Sequence, residues 1–382
     1  MRIVYPLLWS KPGRDACRDQ SVNTAAAFAR AGVETLLLMP QRRSDPSLSA
    51  GDLRSYFDVE GDFRLVQRRS PWASGKVVPS TLWLRRLFHD PEILGSTILY
   101  SRIPNMLVLG GASPIPFAVD HYRPWPDHWP WLRPFIRRTA AAPNCLGLVI
   151  HSHFAAQSYA RCGVDPARIL VAHNGADPRR MGARLGKAEA RRLVGLPEER
   201  PIALYAGRVN RRKGLETLLE MARLRPHVSF LIVGSEGHGS VERAAAAHPN
   251  VRVVAWQEPG RLAPWLYAAD VLLIPPARAP LEKHRNCVLP IKLFQYLAAG
   301  RPILAPVSPD TAELLEDGVN ALLTPPDDIN AAIAAVDRIL NDPGLAARLA
   351  DEARRAGERL TWDARAGKIL SFLRDREDQR SV

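Results

Sequence analysis

The residues of this chain best suited to chemistry are Arg208 and Lys213, in the stretch LYAGRVNRRKG from Leu204 to Gly214. Ile202 and Leu204–Ala206 read as a short buried strand that Gly207 ends. Gly214 then opens a helix, GLETLLEMARL, with Leu215, Leu218, Leu219 and Ala222 at helical spacing. A strand, a glycine, two cations and a helix start make a site for a doubly charged anion. The guanidinium bridges phosphate oxygens, the ammonium adds a point charge, and the helix N-terminus offers N–H groups. Two solvated cations on a loop are the blander reading.

Three further stretches could serve the same ligand. In CVLPIKLFQYLAAGRPILAP, Cys287 to Pro306, Pro290 suits a first helical position and Gly300 a helix stop. Backbone N–H groups over Leu289, Ile291 and Lys292 then form a second anion cradle; Pro290 lies within it and has none. Gln295 is placed to reach a ribose hydroxyl, or is an ordinary surface glutamine. IVGSEG, Ile232 to Gly237, is a strand and a flexible turn built on Gly234. Trp256 and Gln257, at a strand end, offer a resting place for a base, or Trp256 merely packs at a domain edge.

These residues need a scaffold, and both halves of the chain alternate short apolar strands with helical patterns, the signature of parallel α/β domains. The first half predicts strands at Arg2–Leu8, Glu34–Met39, Phe63–Gln67, Ile98–Tyr100, Pro116–Val119, Gly147–Ile150 and Ile169–Val171, and a helix at Asp19–Ala31. Residues 41–97, with Trp72 and Trp83, read as irregular loops. The second half predicts strands at Ile202–Ala206, Ser229–Val233, Val251–Ala255, Val271–Ile274, Pro302–Ala305 and Ala321–Thr324, with helices at 188–195, 214–224, 240–247, 261–268, 290–299, 309–316, 328–340 and 343–358. A basic, turn-rich boundary lies within 173–187, dividing domains 1–180 and 181–361. The amphipathic tail from Trp362 is expected to cross back onto the first domain.

A chain of 382 residues fits two such domains. The apolar start MRIVYPLLWS is broken by Lys11, Pro12 and Gly13, so it reads as a strand and not a signal peptide. There is no apolar run of about 18 residues, the length a spanning helix needs. Cys17, Cys145, Cys162 and Cys287 are scattered, and read as reduced thiols of a cytoplasmic protein. The net charge of +13 is uneven: residues 1–180 carry 23 Lys and Arg against 14 Asp and Glu. A genome that favours Arg explains that, as does an anionic partner: a membrane surface or a phosphorylated substrate. No nucleic-acid module is visible.

Taken together, the second-half motifs resemble the C-terminal domain of GT-B glycosyltransferases of the family 4 type. The matching residues are Gly207-Arg208 with Lys213-Gly214, Val233-Gly234, Ala269-Asp270 through Pro275, Ala298 to Pro302, Asp317-Gly318 and Asn320 to Leu323, with His173–Asp177 matching the end of the family's first domain. The resemblance runs through nearly all of 145–375. It implies two Rossmann-like doubly wound domains facing across a cleft, and a retaining sugar transfer from a nucleotide-activated sugar with no bound metal or cofactor. Arg208 and Lys213 would neutralise the leaving diphosphate, the role a divalent cation has in other transferases. The family's two glutamates, eight residues apart, are here Cys287 and Gln295; Pro290-Ile291-Lys292 and Gln295-Tyr296 resemble a divergent subgroup's loop.

The first domain matches less closely. Gly13 stands where the family has its glycine-rich acceptor loop. PFAVDHYRPW resembles the family's strand ending in a catalytic-site histidine, so His121 would contact the donor sugar or help the acceptor hydroxyl lose its proton, with Asp120 the neighbouring alternative and a strand-end histidine without a role the plain one. Arg102 resembles an arginine beside the crevice. His151 and His153 read as a structural H-x-H on one strand face. The run His121–Arg138 gathers Trp125, Trp129, Trp131 and Phe135 with Arg123, Arg133, Arg137 and Arg138. It suits an anionic membrane interface, or a proline-rich loop packed on the acceptor cleft.

The expected function is transfer of a sugar from a nucleoside diphosphate sugar, UDP-linked by preference, to a hydroxyl acceptor that is lipid-linked or part of a surface glycan. Two alternatives stand beside it: an epimerase or phosphorylase on the same scaffold, and an impaired homologue serving as a membrane-bound scaffold.

Overall fold

Parallel sheets with both faces covered call for largely apolar strands, and the inner strands of this chain are so, while the edge strands Arg64–Arg69 and Val251–Ala255 carry arginine and are only partly buried. The computed structural model describes residues 1–70, 77–283, 285–287 and 289–381; Trp72 lies outside them. The chain divides into two units, Met1–Asn174 with Trp362–Val382, and Gly175–Thr361. The division falls after Asn174, earlier than the predicted 180/181, because Asp177 already caps the short helix Pro178–Met181 of the second unit.

The first unit holds β1 (Arg2–Pro6), β2 (Glu34–Gln41), β3 (Arg64–Arg69), β4 (Ile98–Ser101), β5 (Phe117–His121), β6 (Cys145–Ile150) and β7 (Ile169–Val171) in one parallel sheet, ordered β3-β2-β1-β4-β5-β6-β7. Strands β4, β5 and β6 are buried at every residue. The helix after β1 runs Ala16–Arg30, with the Asp15 carboxylate accepting the N–H groups of Cys17 and Arg18. The terminal helix Trp362–Ser381 returns to this unit and buries Trp362, Ile369, Leu370 and Leu373 in its core.

The second unit holds β8 (Ile202–Ala206), β9 (Ser229–Ser235), β10 (Val251–Ala255), β11 (Val271–Leu273), β12 (Ile303–Pro306) and β13 (Leu322–Thr324), ordered β10-β9-β8-β11-β12-β13, again parallel. Two apolar clusters cover its faces, one with Leu293, Phe294 and Leu297, the other with Leu218, Met221 and Val336. In each sheet the strand order reverses once, between β1 and β4 and between β8 and β11. Ligands of such sheets bind beyond the carboxyl ends of the strands at that reversal.

Three expectations are corrected. Residues 41–97 are not irregular: helices Ala50–Phe57, Val77–Leu87 and Pro91–Leu94 lie there with β3. Polar, arginine-rich faces hid them. The first is capped by a Ser49–Asp52 capping box, and the second buries Trp83. The helix expected at 309–316 is a single 3-10 turn, Thr311–Glu313. His151 and His153 do not share a strand face, since β6 stops at Ile150 and His153 opens the helix His153–Arg161 behind a Ser152 cap.

Candidate functional site

Strand β8 delivers Gly207 to the reversal point of the second sheet. Gly207 has φ +141° and donates its N–H to the Val233 carbonyl at 2.8 Å. Gly234, at the end of β9, has φ +122°, and a Cβ there would meet the Gly207 carbonyl oxygen at 2.3 Å. Glycine at 234 permits this approach. Arg208 follows, exposed on the loop, with its carbonyl held by the Tyr205 hydroxyl at 2.9 Å.

Lys213 does not precede a helix directly. It ends a 3-10 turn, Arg211–Lys213, capped by the Asn210 side chain, and Gly214 follows in a left-handed conformation. The helix begins at Glu216. A Cβ on Gly214 would strike Ala277, so the loop after β8 presses on the loop after β11. Lys213 is exposed as a residue, yet its ammonium is surrounded closely enough that burial lowers its pKa, with Arg208 and Lys283 adding to the shift.

The second predicted cradle differs from expectation. Pro290 is the N-cap of helix Ile291–Ala299, with ψ 141°, and not its first helical residue. Leu289 is buried and Ile291 half-buried. This helix also brings side chains to the site. The Tyr296 hydroxyl accepts the Ala206 N–H at 2.7 Å and lies 3.3 Å from the Leu273 carbonyl, which pins the helix to the ends of β8 and β11. One turn earlier, Lys292 extends its ammonium over the Tyr205 ring, 3.4 Å from the centroid. Burial lowers its pKa well below the usual lysine value, and the Lys213 charge lowers it further. The stretch before the helix is strained: Arg285 and Asn286, just ahead of buried Cys287, both have positive φ.

Gln295 lies apart from the cations. It lines a small pocket with Asp177, Arg180, Pro259, Leu262 and Ala263. Asp177 is buried; one carboxylate oxygen accepts the Arg179 N–H, and the other has no hydrogen-bond partner. Sequence reasoning used Asp177 only to mark a boundary. Its signal was the carboxylate itself, since the helix opposite carries Gln295 where the family carries glutamate. Trp256 is half-buried beside β9 and donates its N–H to the Ser235 carbonyl at 2.8 Å. Gln257 folds back, its amide bonding the Ala255 carbonyl at 2.9 Å.

In the first unit, β5 ends at Asp120 and His121. Asp120 is fully buried and is no open acceptor-side residue. It accepts the Tyr100 hydroxyl at 2.8 Å, pairs with Arg365 at 2.9 Å, and lies 3.5 Å from Arg102. Burial pushes its carboxyl up, but Arg365 and Arg102 outweigh that and hold it below the usual carboxylate value. Arg102 is thus committed to Asp120 and to the Tyr122 ring. Arg365 was not foreseen, because its partner stands 245 residues away.

His121 is buried, and burial and then Arg102 lower its pKa well below the ordinary 6.5. Its Nδ1 accepts the Trp125 indole N–H at 2.7 Å and the Tyr122 N–H at 3.1 Å. The same indole N–H lies 3.0 Å from Nε2, and the Arg123 N–H reaches Nδ1 at 3.4 Å, so both ring nitrogens face protein donors. Trp125 therefore serves His121 and is buried, which removes it from the predicted membrane face. Trp129, Trp131 and Phe135 remain exposed, as do Arg133, Arg137 and Arg138. Gly13 is half-buried, and a Cβ there would lie 2.5 Å from the Arg18 guanidinium.

Comparison with known proteins agrees with this architecture. Residues 21–180 match the family model described as Glycosyltransferase Family 4, and residues 200–342 the model described as Glycosyl transferases group 1. A D-inositol 3-phosphate glycosyltransferase of Xylanimonas cellulosilytica is 31% identical over 222 residues, 54% of this chain and 51% of that protein. A namesake from Streptomyces bingchenggensis is 28% identical over 53% of this chain and 47% of its own length. The chain thus spans about half the length of the curated relatives it matches. Among solved structures, a sucrose-phosphate synthase of Thermosynechococcus elongatus superposes with TM-score 0.75 at 19% identity, covering 99% of both chains. Anabaena HepE in complex with UDP and glucose gives TM-score 0.72 at 16% identity, covering 98% of this chain and 100% of that one. With a glycosyltransferase model on each unit and two parallel sheets that superpose on such structures, the chain belongs to the family 4 type glycosyltransferases of GT-B fold.

Proposed function

We propose that this protein transfers a glycosyl group, with retention, from a nucleoside diphosphate sugar to a hydroxyl acceptor. One observation carries the reading. Arg208 and Lys213 stand beyond β8 at the strand reversal, beside a close Gly207–Gly234 contact, and no carboxylate pairs with Lys213 among the described residues. That arrangement binds an anion of more than one charge and stabilises it as it leaves. The glycosidic bond to the diphosphate breaks and a bond to the acceptor oxygen forms; the hydroxyl proton passes to the departing phosphate oxygen. The cations hold the negative charge that grows on that oxygen. The UDP bound to the Anabaena neighbour supports UDP as the carrier.

His121 has a narrower role in this reading than general base. Buried and neutral, and held by the Tyr122 and Trp125 N–H groups, it serves as a hydrogen-bonding contact for a sugar or acceptor hydroxyl. The pocket of Gln295 and Asp177 supplies an amide and a carboxylate oxygen for the ribose diol.

The exposed aromatic and arginine surface of Trp129–Arg138 supports an anionic bilayer as the place of work, with a lipid-linked acceptor. Among the described residues no helix is long and apolar enough to cross a membrane.

The deciding measurement is a thermal-shift panel of UDP-, GDP- and ADP-sugars, followed by UDP-sugar turnover. A ligand at about a hundred times its Kd stabilises the fold by about 2.7 kcal/mol. Stabilisation by UDP-sugars, and loss of turnover in a folded Arg208→Ala variant, are expected. No shift with any nucleotide sugar would overturn the proposal.

A further inference from the structure

Lys292 does not behave as a structural lysine. Its ammonium rests on the Tyr205 ring at the end of β8, and a Cβ on Gly207 would lie 2.6 Å from it. The helix that carries it is fixed by Tyr296, four residues on and on the same face, through the Ala206 N–H. The ammonium is therefore held at Gly207, where Arg208 begins.

Among the described residues, the charge that shifts it is of its own sign. Lys213 is the neighbour that shifts Lys292, and Arg208 and Lys283 are the neighbours that shift Lys213. Among the described residues neither ammonium has a carboxylate partner. A desolvated cation among cations is unfavourable in the empty protein, and a methionine would fill the same space at no electrostatic cost. A group kept in such surroundings serves a ligand.

We infer that the Lys292 side chain is a third cation of the anion site, gripping the donor diphosphate from helix Ile291–Ala299 together with Arg208 and Lys213. The inference rests on the proposed nucleotide-sugar reading and goes further. The helix contributes a side-chain charge beside the N–H groups of its first turn, and Gly207 is glycine partly because the ammonium needs its space. The ring of Tyr205 positions that charge before the ligand arrives.

Calorimetry on the full chain with UDP, UMP and uridine tests this. Lys292→Met should weaken UDP binding roughly ten- to hundredfold, the range of one charge-assisted bond. It should weaken UMP less and leave uridine unchanged, and Lys292→Arg should recover part of the loss. Without nucleotide, Lys292→Met should melt no lower than the wild type. Lys292→Gln provides the same reading if the methionine variant does not fold. UDP affinity unchanged in Lys292→Met but lost in Arg208→Ala would overturn this inference and leave the donor site standing. Unchanged affinity in both would overturn the two together.

Discussion

The Tyr296 hydroxyl accepts the backbone N–H of Ala206 at 2.7 Å. One side chain thereby joins the end of β8 to the middle of helix Ile291–Ala299, and the loop of Arg208 and Lys213 to the segment of Lys292. Tyr296 is fully buried, and burial raises its pKa, so it stays a neutral phenol. Tyr296→Phe would leave the Ala206 N–H buried without its acceptor. The expected loss is about 1–3 kcal/mol of stability, read as a lower urea midpoint. A weaker UDP affinity should accompany it, because Lys292 moves with the helix. A variant as stable as wild type would show that Ala206 finds another acceptor.

Asp120 anchors the first unit. Its carboxylate holds Arg365, and through it the returning helix, to the end of β5. Asp120→Asn leaves buried Arg365 and Arg102 uncompensated and should lose about 3–5 kcal/mol. The pH dependence follows the same charge. The folded carboxyl lies below its unfolded value of about 3.9. Its stabilisation is therefore present above that value and is lost as pH falls through the folded one. Acid unfolding of the wild type should steepen below about pH 4, and the asparagine variant should lack that component.

The network around Asp120 also marks the limit of sequence reading. Most of the described strands were legible because inner parallel strands are short, apolar and bounded by turns, and the Gly207–Arg208…Lys213 spacing was legible because it is local. Asp120 with Arg365, and Lys292 with Tyr205, were not, since each pair is made by tertiary placement of distant segments. Trp125 was misassigned to the surface for the same reason. Its indole faces inward to His121, and no periodicity in a proline-rich stretch shows which way a ring turns. Residues 41–97 hid their helices behind charged outer faces such as Arg85 and Arg86.

His121 gives a second pH signature of opposite chemistry. Its folded pKa is far below the unfolded value of about 6.5. Below that pH the unfolded chain takes up a proton that the folded chain refuses. Stability is thus complete above about 6.5 and declines as pH drops toward the folded value, by at most about 1.4 kcal/mol per pH unit for this group. Urea midpoints should fall between about pH 6.5 and 5 in the wild type and fall less in His121→Gln. Turnover should show no inflection from His121 near neutrality, because the imidazole is already neutral there. An activity titration near pH 6.5 that disappears in His121→Gln would contradict a buried neutral imidazole.

The surface of Trp131 and Phe135 sets the last prediction. Trp131 is 67% and Phe135 49% exposed, on the turn Pro130–Leu132 and the helix Arg133–Ala140. Ile136 and Thr139 bury the other side of that helix, so the aromatic rings are not needed to hold it in place. Arg137 and Arg138 flank them; Arg133 is bound to Asp127 at 3.2 Å, and Arg161 to the same carboxylate at 2.6 Å. The acid present is outnumbered, and the surplus charge is available to lipid phosphate. Trp131→Ala with Phe135→Ala should leave stability within about 0.5 kcal/mol, as surface substitutions do. It should also abolish sedimentation with anionic vesicles, while Arg137→Gln with Arg138→Gln should weaken it and flatten its dependence on salt. Vesicles of neutral lipid separate the two contributions, since only the aromatic part acts there. Equal sedimentation of wild type and both double variants would remove the bilayer as partner and leave the tryptophans to another surface.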